Sequence, residues 1–294
     1  MVDLDGRVCI VTGAGRGIGR EHALMLAAHG ARVVVNDLGG ARDGTGADPA
    51  PAEEVVASIV EDGGQAVANA DDVSDWDGAE RVVRQAVDVF GGLDVVVNNA
   101  GILRDRMLVN MTADEWDAVV RVHLRGTFAP ARHAAAYWRD RAKRGEHNDA
   151  RLINTTSISG LYANPGQSNY GAAKAGVAAF TLIAAQELAR YGVTVNAVAP
   201  GALTRMTEDT KLAPEARPRY DPRWVANVVT WLASAESADI TGEVIESNGF
   251  VIAIAEGWHR GPTDEPPVSP DGVGDVVRRL RSAARPYTRI SETV

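Results

Sequence analysis

The chain is short of everything that would mark it as secreted, membrane-bound or nucleic-acid-binding. Its 294 residues hold one cysteine, Cys9, so no disulfide framework can form within the chain. Cys9 falls in the first strand-like run and reads as a small core residue. No apolar run reaches ~18 residues, and the start, Met1-Val2-Asp3-Leu4-Asp5, lacks the charged-then-apolar order of a secretory leader. A soluble, reducing, cytoplasmic setting is the expectation. Bases are outnumbered, 30 Lys and Arg against 39 Asp and Glu for a net charge of −9, and they form no block. Nucleic acid and anionic membrane are therefore not expected as partners. No Cys/His cluster has zinc spacing, so no metal is expected. No internal repeat with a period of roughly 20–50 residues is present.

What remains is an ordinary globular composition, 45% hydrophobic. Strand-like apolar runs recur near 7–12, 31–36, 65–69, 93–97, 151–155, 193–198 and 242–246. Helical patterns lie between them, near 17–29, 51–62, 75–90, 115–143, 169–191 and 222–234. Such alternation predicts crossover units and a Rossmann-type, doubly wound parallel α/β sheet in a single domain. Val95-Val96-Val97 has no polar alternation, as a strand buried on both faces requires. We read residues 1–258 as a dinucleotide-binding and catalytic domain and 259–294 as a C-terminal extension. The extension is rich in proline (Pro262, Pro266, Pro267, Pro270) and then basic over 276–285. It reads as an arm on the surface or over a neighbouring subunit.

The first strand runs into Gly13-Ala14-Gly15-Arg16-Gly17-Ile18-Gly19, and a helical pattern follows. Glycines are needed where a chain turns tightly and lets its backbone approach a pyrophosphate, which the helix N-terminus then attracts. The second strand ends at Asp37, eighteen residues past Gly19. An acid there can hydrogen-bond a ribose 2′-hydroxyl and repels a 2′-phosphate, which favours NAD over NADP. Arg16, a base within the glycine loop, points the other way but weighs less. Residues 38–51 are too rich in Gly and Pro for helix or strand. They read either as a cover over the adenosine end or as a surface insertion.

Ser157, Tyr170 and Lys174 form the other informative constellation. Tyr170 and Lys174 are four apart, hence on one helical face. An ammonium there favours a phenolate and lowers a tyrosine pKa from ~10, making Tyr170 a usable general acid/base. Ser157 can donate to a substrate oxygen. Ser159 and Tyr162 are alternative hydroxyls without a lysine partner and read as pocket lining.

Thr12-Gly13-x-x-x-Gly17-x-Gly19, Asn98-Asn99-Ala100-Gly101, Ser157, Tyr170-x-x-x-Lys174 and Pro200-Gly201 occur together and in this order. Jointly they resemble the short-chain dehydrogenase/reductase family over about residues 5–250. Val35-Asn36-Asp37-Leu38-Gly39-Gly40, Ile102-Leu103-Arg104-Asp105-Arg106 and Val122-His123-Leu124-Arg125-Gly126 further resemble the (3R)-hydroxyacyl-CoA dehydrogenase portion of peroxisomal multifunctional enzyme type 2. Bacterial relatives of that branch act on acyl-CoA or steroid substrates. The resemblance implies a nicotinamide cofactor held by Gly13, Arg16, Gly17, Ile18, Gly19, Asp37, Asn99, Ala100, Gly101, Pro200 and Gly201, and by Tyr170 and Lys174. It also implies adenine contacts from Asp72 and Val73, which should close the third strand, with Asp71 as a competitor.

Two departures from the family pattern stand out. His123 replaces the usual asparagine of a proton-relay water site; it reads as a catalytic relay that titrates near neutrality or as a core histidine. Arg205 stands where the family often has a carboxamide-binding threonine, leaving Thr204 or Thr207 as substitutes, and Arg205 could instead meet an anionic substrate group. Met206 and Leu212 suit an apolar substrate body. The implied activity is NAD-dependent interconversion of a secondary alcohol and a ketone. The alternatives are an NADP-dependent 3-ketoacyl carrier-protein reductase and a non-catalytic NAD(H)-binding regulator. Apolar character at Trp231-Leu232-Ala233, Ile245 and 250–255 predicts a homo-oligomer, a dimer or tetramer, that buries this region.

Overall fold

The structure is a computed structural model and describes residues 2–204, 206–207, 213–286, 288 and 290. The expectations placed on Arg205 and Leu212 lie outside the described residues. The chain forms two compact units, Met1–Ala255 and Glu256–Val294.

The first unit is built on β1 (Val8–Thr12), β2 (Arg32–Asn36), β3 (Gln65–Asn69), β4 (Val95–Asn98), β5 (Ala150–Thr155), β6 (Val193–Pro200), β7 (Val244–Ser247) and β8 (Ile252–Ile254). They form one eight-stranded sheet in the order β3-β2-β1-β4-β5-β6-β7-β8. Every neighbouring pair is parallel except β7 with β8. Helices α1 (Gly17–Ala28), α2 (Ala50–Glu61), α3 (Trp76–Phe90), α4 (Ala113–Val120), α5 (Gly126–Lys143), α6 (Ile158–Tyr162), α7 (Ser168–Leu188) and α8 (Arg223–Leu232) connect the strands. Strands β1, β4 and β5 are buried along their whole length, which explains their unbroken apolar runs. Two cores result. One joins α1, α2 and α8 to one sheet face through Leu26, Val55, Val229 and Ile245. The other joins α3, α5 and α7 to the opposite face through Val82, Trp138 and Leu188.

The strand order reverses between β1 and β4, the switch point where open α/β sheets bind ligands beyond their carboxyl ends. The second unit carries α9 (Val273–Ala283) and ion pairs of Arg279 with Asp264 and of Arg285 with Glu256.

Three expectations are corrected. The single helix expected over 115–143 is broken by a π-helical segment, Arg121–Arg125, between α4 and α5. The Thr127 hydroxyl takes the His123 carbonyl at 2.7 Å, and Pro130 has no N–H for the helix ladder. Strand β3 ends at Asn69, so Asp72 and Val73 lie in the loop beyond it. Last, Leu232, Ala233 and Ile245 are buried in their own subunit, whereas Phe250, Val251, Ile252 and Ile254 are 43–68% exposed. The exposed apolar surface of this region is thus the β8 edge.

Candidate active site

The glycine loop links β1 to α1 and owes its shape to the absence of side chains. Gly13 has φ +64°, and a Cβ on it would stand 2.7 Å from the Ala100 Cα. A Cβ on Gly19 would stand 2.2 Å from the Gly13 carbonyl oxygen. The first turn of α1 has no acidic residue and no side-chain cap, which suits it to an anion. Beside it, Asp37 accepts the Gly15 N–H at 2.7 Å and the Gly39 N–H at 2.6 Å. Gly13, Gly17, Gly19 and Asp37 line a groove of about 350 Å3, with Asp72, Val73, Asn99, Ala100, Gly101 and Thr204 on its other walls. A backbone cradle that any Cβ would fill, with a carboxylate on its rim, fits a dinucleotide's pyrophosphate and ribose.

The insertion reaches across this groove. Leu38, Gly40, Ala41 and Gly44 line it. The Arg42 carbonyl accepts the Leu103 N–H at 2.9 Å, and Arg104 Nε donates to the Asp43 carbonyl at 2.8 Å. Of the two aspartates weighed for the adenine, both line the groove. Asp71 pairs with Arg81 at 2.6 Å, and Asp72 pairs with Arg121 at 2.8 Å while accepting from Ser74. Arg121 was invisible in sequence as a site residue, because its partner lies forty-nine positions away. Thr12 was likewise missed as a working side chain: its hydroxyl oxygen accepts the N–H groups of Asn99 and Ala100 at 2.9 and 3.1 Å.

Pro200 ends β6 and Gly201 follows it, and neither lines this groove; the Gly201 N–H donates to the Ser247 carbonyl at 2.9 Å. Of the two threonines proposed as substitutes, Thr204 lies against Gly17 and lines the groove. Thr207 is spent within its own turn, bonded to Thr204 and Ala202.

Ser157 caps α6 directly after β5, and Tyr170 and Lys174 stand one turn apart on α7. The Lys174 ammonium lies 5.8 Å from the Tyr170 ring centre. It donates to the Thr155 carbonyl at 2.5 Å, while Thr156 Oγ1 donates to the Lys174 carbonyl at 2.7 Å. Both ends of the lysine are thereby fixed to the end of β5, and burial pushes its pKa down to about 7. The expected lowering of the Tyr170 pKa is not the net result. Burial raises it, a hydrogen bond from Ser157 pulls it back, and the Asp105 carboxylate raises it further. Among the neighbours of Tyr170, the group that favours the phenolate is Ser157.

Of the two readings of His123, its surroundings favour the core histidine. It is buried, and its Nε2 stands 3.0 Å from the Ile102 nitrogen and 2.7 Å from the Ile102 oxygen. Its ring meets Tyr170 edge-on at 5.0 Å. Burial first, then the Lys174 charge, depresses its pKa to about 3, so it does not titrate near neutrality. Among the described residues no group of His, Cys, Asp and Glu could hold a metal, and no helix is long and apolar enough to cross a membrane.

The short chain dehydrogenase family model matches residues 7–215. The chain belongs to the short-chain dehydrogenase/reductase family. A crystal structure of a short chain dehydrogenase from Mycobacterium avium superposes with a TM-score of 0.88 at 50% identity, covering 98% of both chains. The hydroxyacyl-CoA dehydrogenase ChsB1 of Mycobacterium tuberculosis is 44% identical over 292 residues, 97% of this chain and 89% of that protein. Peroxisomal multifunctional enzyme type 2 of mouse is 44% identical over 254 residues, 86% of this chain but 32% of that protein. Membership makes the chain an oxidoreductase of the hydroxyl/keto class that takes a nicotinamide cofactor.

Proposed function

We propose that the chain is an NAD-dependent dehydrogenase interconverting a secondary alcohol and a ketone, with a 3-hydroxyacyl-CoA as substrate. The observation that carries this reading is the placement of Ser157 at the cap of α6, just past β5, with Tyr170 and Lys174 one turn apart on α7 and Lys174 buried. Ser157 holds the substrate oxygen. Tyr170 gives a proton to that oxygen in reduction and takes it in oxidation. Lys174 holds the nicotinamide ribose. When bound, the nicotinamide supplies the hydride acceptor or donor. Because burial keeps the Tyr170 proton on, the site as it stands is set for reduction, and oxidation should speed up as pH rises.

Cofactor choice rests on Asp37, whose charge on the groove rim opposes a 2′-phosphate. Arg16, exposed on the same groove, is what favours the rival NADP-dependent ketoacyl reductase. The acyl-CoA substrate is supported by the names of the relatives above, while a hydroxysteroid is the second candidate. A regulator with a decayed site would not be expected to keep Ser157, Tyr170 and Lys174 together. The full chain should assemble as a homo-oligomer of soluble subunits, since the β8 edge with Ile252 and Ile254 exposed invites a second copy. Residues 259–294 are assigned to the extension and 1–258 to catalysis. The test is a panel of 3-hydroxyacyl-CoA and hydroxysteroid substrates with NAD and with NADP, alongside sedimentation. Turnover of hydroxysteroids alone, or with NADP alone, or a monomer at micromolar concentration, would each strike the corresponding part of the reading.

A further inference from the structure

Helix α6 has five residues, too few to hold its place by its own hydrogen bonds. Yet it carries Ser157 as its first cap. The Ser157 Oγ accepts the Ser159 N–H at 3.2 Å, and its carbonyl accepts from Gly160 and Leu161 at 2.9 and 3.1 Å. The Ser157 hydroxyl is thereby tied to the first turn of α6. Any shift of α6 therefore moves the Ser157 hydroxyl.

Two contacts fix α6. Gly160 lies against the backbone of α7, where a Cβ would stand 2.7 Å from the Ala175 nitrogen and 2.8 Å from the Lys174 carbonyl carbon. At the other end the Tyr162 phenol donates to Glu246 Oε1 on β7. Burial and that carboxylate hold the Tyr162 pKa above its ordinary value, so it stays the donor. The chain beyond is not relaxed: Ala163 has φ +59°, and it is the one described residue other than glycine with positive φ. Such a backbone persists only where its surroundings impose it. Glu246 is well rooted for that purpose. It pairs with Ala199 of β6 on one side and Ala253 of β8 on the other.

We propose that Glu246, acting through Tyr162, is a positioning residue for Ser157: the Tyr162–Glu246 hydrogen bond fixes α6 and so aims the hydroxyl that holds the substrate oxygen. This rests on the role given to Ser157 above. Neither Tyr162 nor Glu246 lines the cofactor groove, so the effect belongs in turnover and not in cofactor binding.

The experiment measures kcat and KM for NAD with 3-hydroxyhexanoyl-CoA on the full chain. Tyr162→Phe and Glu246→Gln are each made with Ser157 present and in a Ser157→Ala background. Tyr162→Phe should lower kcat roughly 10-fold when Ser157 is present, by the usual sensitivity of catalysis to small misplacement. In the Ser157→Ala background it should lower kcat by less than about twofold, because the hydroxyl it aims is gone. The KM for NAD should not move in either case. Glu246→Gln keeps an oxygen acceptor and should retain most of the turnover. Equal losses in both backgrounds would mean a merely structural contact and overturn the proposal, as would an unaffected Tyr162→Phe. Full turnover by Ser157→Ala, or none by the unmodified chain, would instead overturn the reading on which it stands.

Discussion

Asp37→Asn removes the charge that sets cofactor preference and keeps an acceptor for one of the two N–H groups that Asp37 binds through separate oxygens. Asp37→Ala would be a poorer choice, because the carboxylate also accepts the N–H groups of Gly15 and Gly39 at 2.7 and 2.6 Å. Deleting both acceptors would strand the N–H groups of two buried glycines, at about 1–3 kcal/mol each. Asparagine keeps one acceptor oxygen and removes the charge. Two unit charges ~5 Å apart repel by ~3 kcal/mol at an effective dielectric of ~20, and by about half that in a groove open to water. At 1.4 kcal/mol per decade this is roughly 10- to 200-fold in relative affinity. Titrating NADH and NADPH by fluorescence, for both proteins, gives the two ratios directly. The preference for NADH should narrow by that factor, chiefly through tighter NADPH binding. An unchanged ratio, or an unmodified chain that already prefers NADPH, would refute the reasoning from Asp37.

Two further perturbations probe the scaffold. Gly19→Ala places a Cβ 2.2 Å from the Gly13 oxygen and 2.5 Å from Asn99 Nδ2; overpacking of this kind costs ~1–3 kcal/mol. It should lower the melting temperature and weaken NADH binding at least ~10-fold, because the cradle itself must move; wild-type affinity would mean the loop is not the cradle. His22 is buried with neither ring nitrogen bonded, and its pKa is held at about 3 against 6.5 when exposed. Between those values the unfolded chain binds the proton and the folded chain does not. Stability is therefore full above pH 6.5 and falls as pH drops towards 3. The loss is ~2 kcal/mol at pH 5 from His22, and as much again from His123. His22→Met should flatten the fall in melting temperature between pH 7 and 5, and an identical slope would exclude His22 as a cause.

The fold was legible because its signals are local. Unbroken runs such as Val95-Val96-Val97 marked buried strands, and glycines 13, 17 and 19 marked a loop whose shape depends on missing side chains. The π-helical segment at 121–125 was hidden, since it depends on the Thr127 hydroxyl competing with the helix ladder. The candidate site was legible where two groups share a helix face, as Tyr170 and Lys174 do. It failed where burial decides. Of the two readings open for His123, burial favours the fixed core histidine, and Tyr170 is pushed up because desolvation outweighs its neighbours. Partners brought together by topology, Arg121 with Asp72 or Tyr162 with Glu246, leave no trace in spacing.

The central claim is that Tyr170 carries the proton. Its most direct test is single-turnover NADH formation from a 3-hydroxyacyl-CoA by the unmodified chain and by Tyr170→Phe, with NADH affinity measured in parallel. The phenylalanine keeps the ring that packs edge-on against His123 and removes only the titrating group. The account predicts a rate lower by ~10²-fold or more, lost dependence on alkaline pH and unchanged NADH affinity. A near-normal rate in the variant would contradict it.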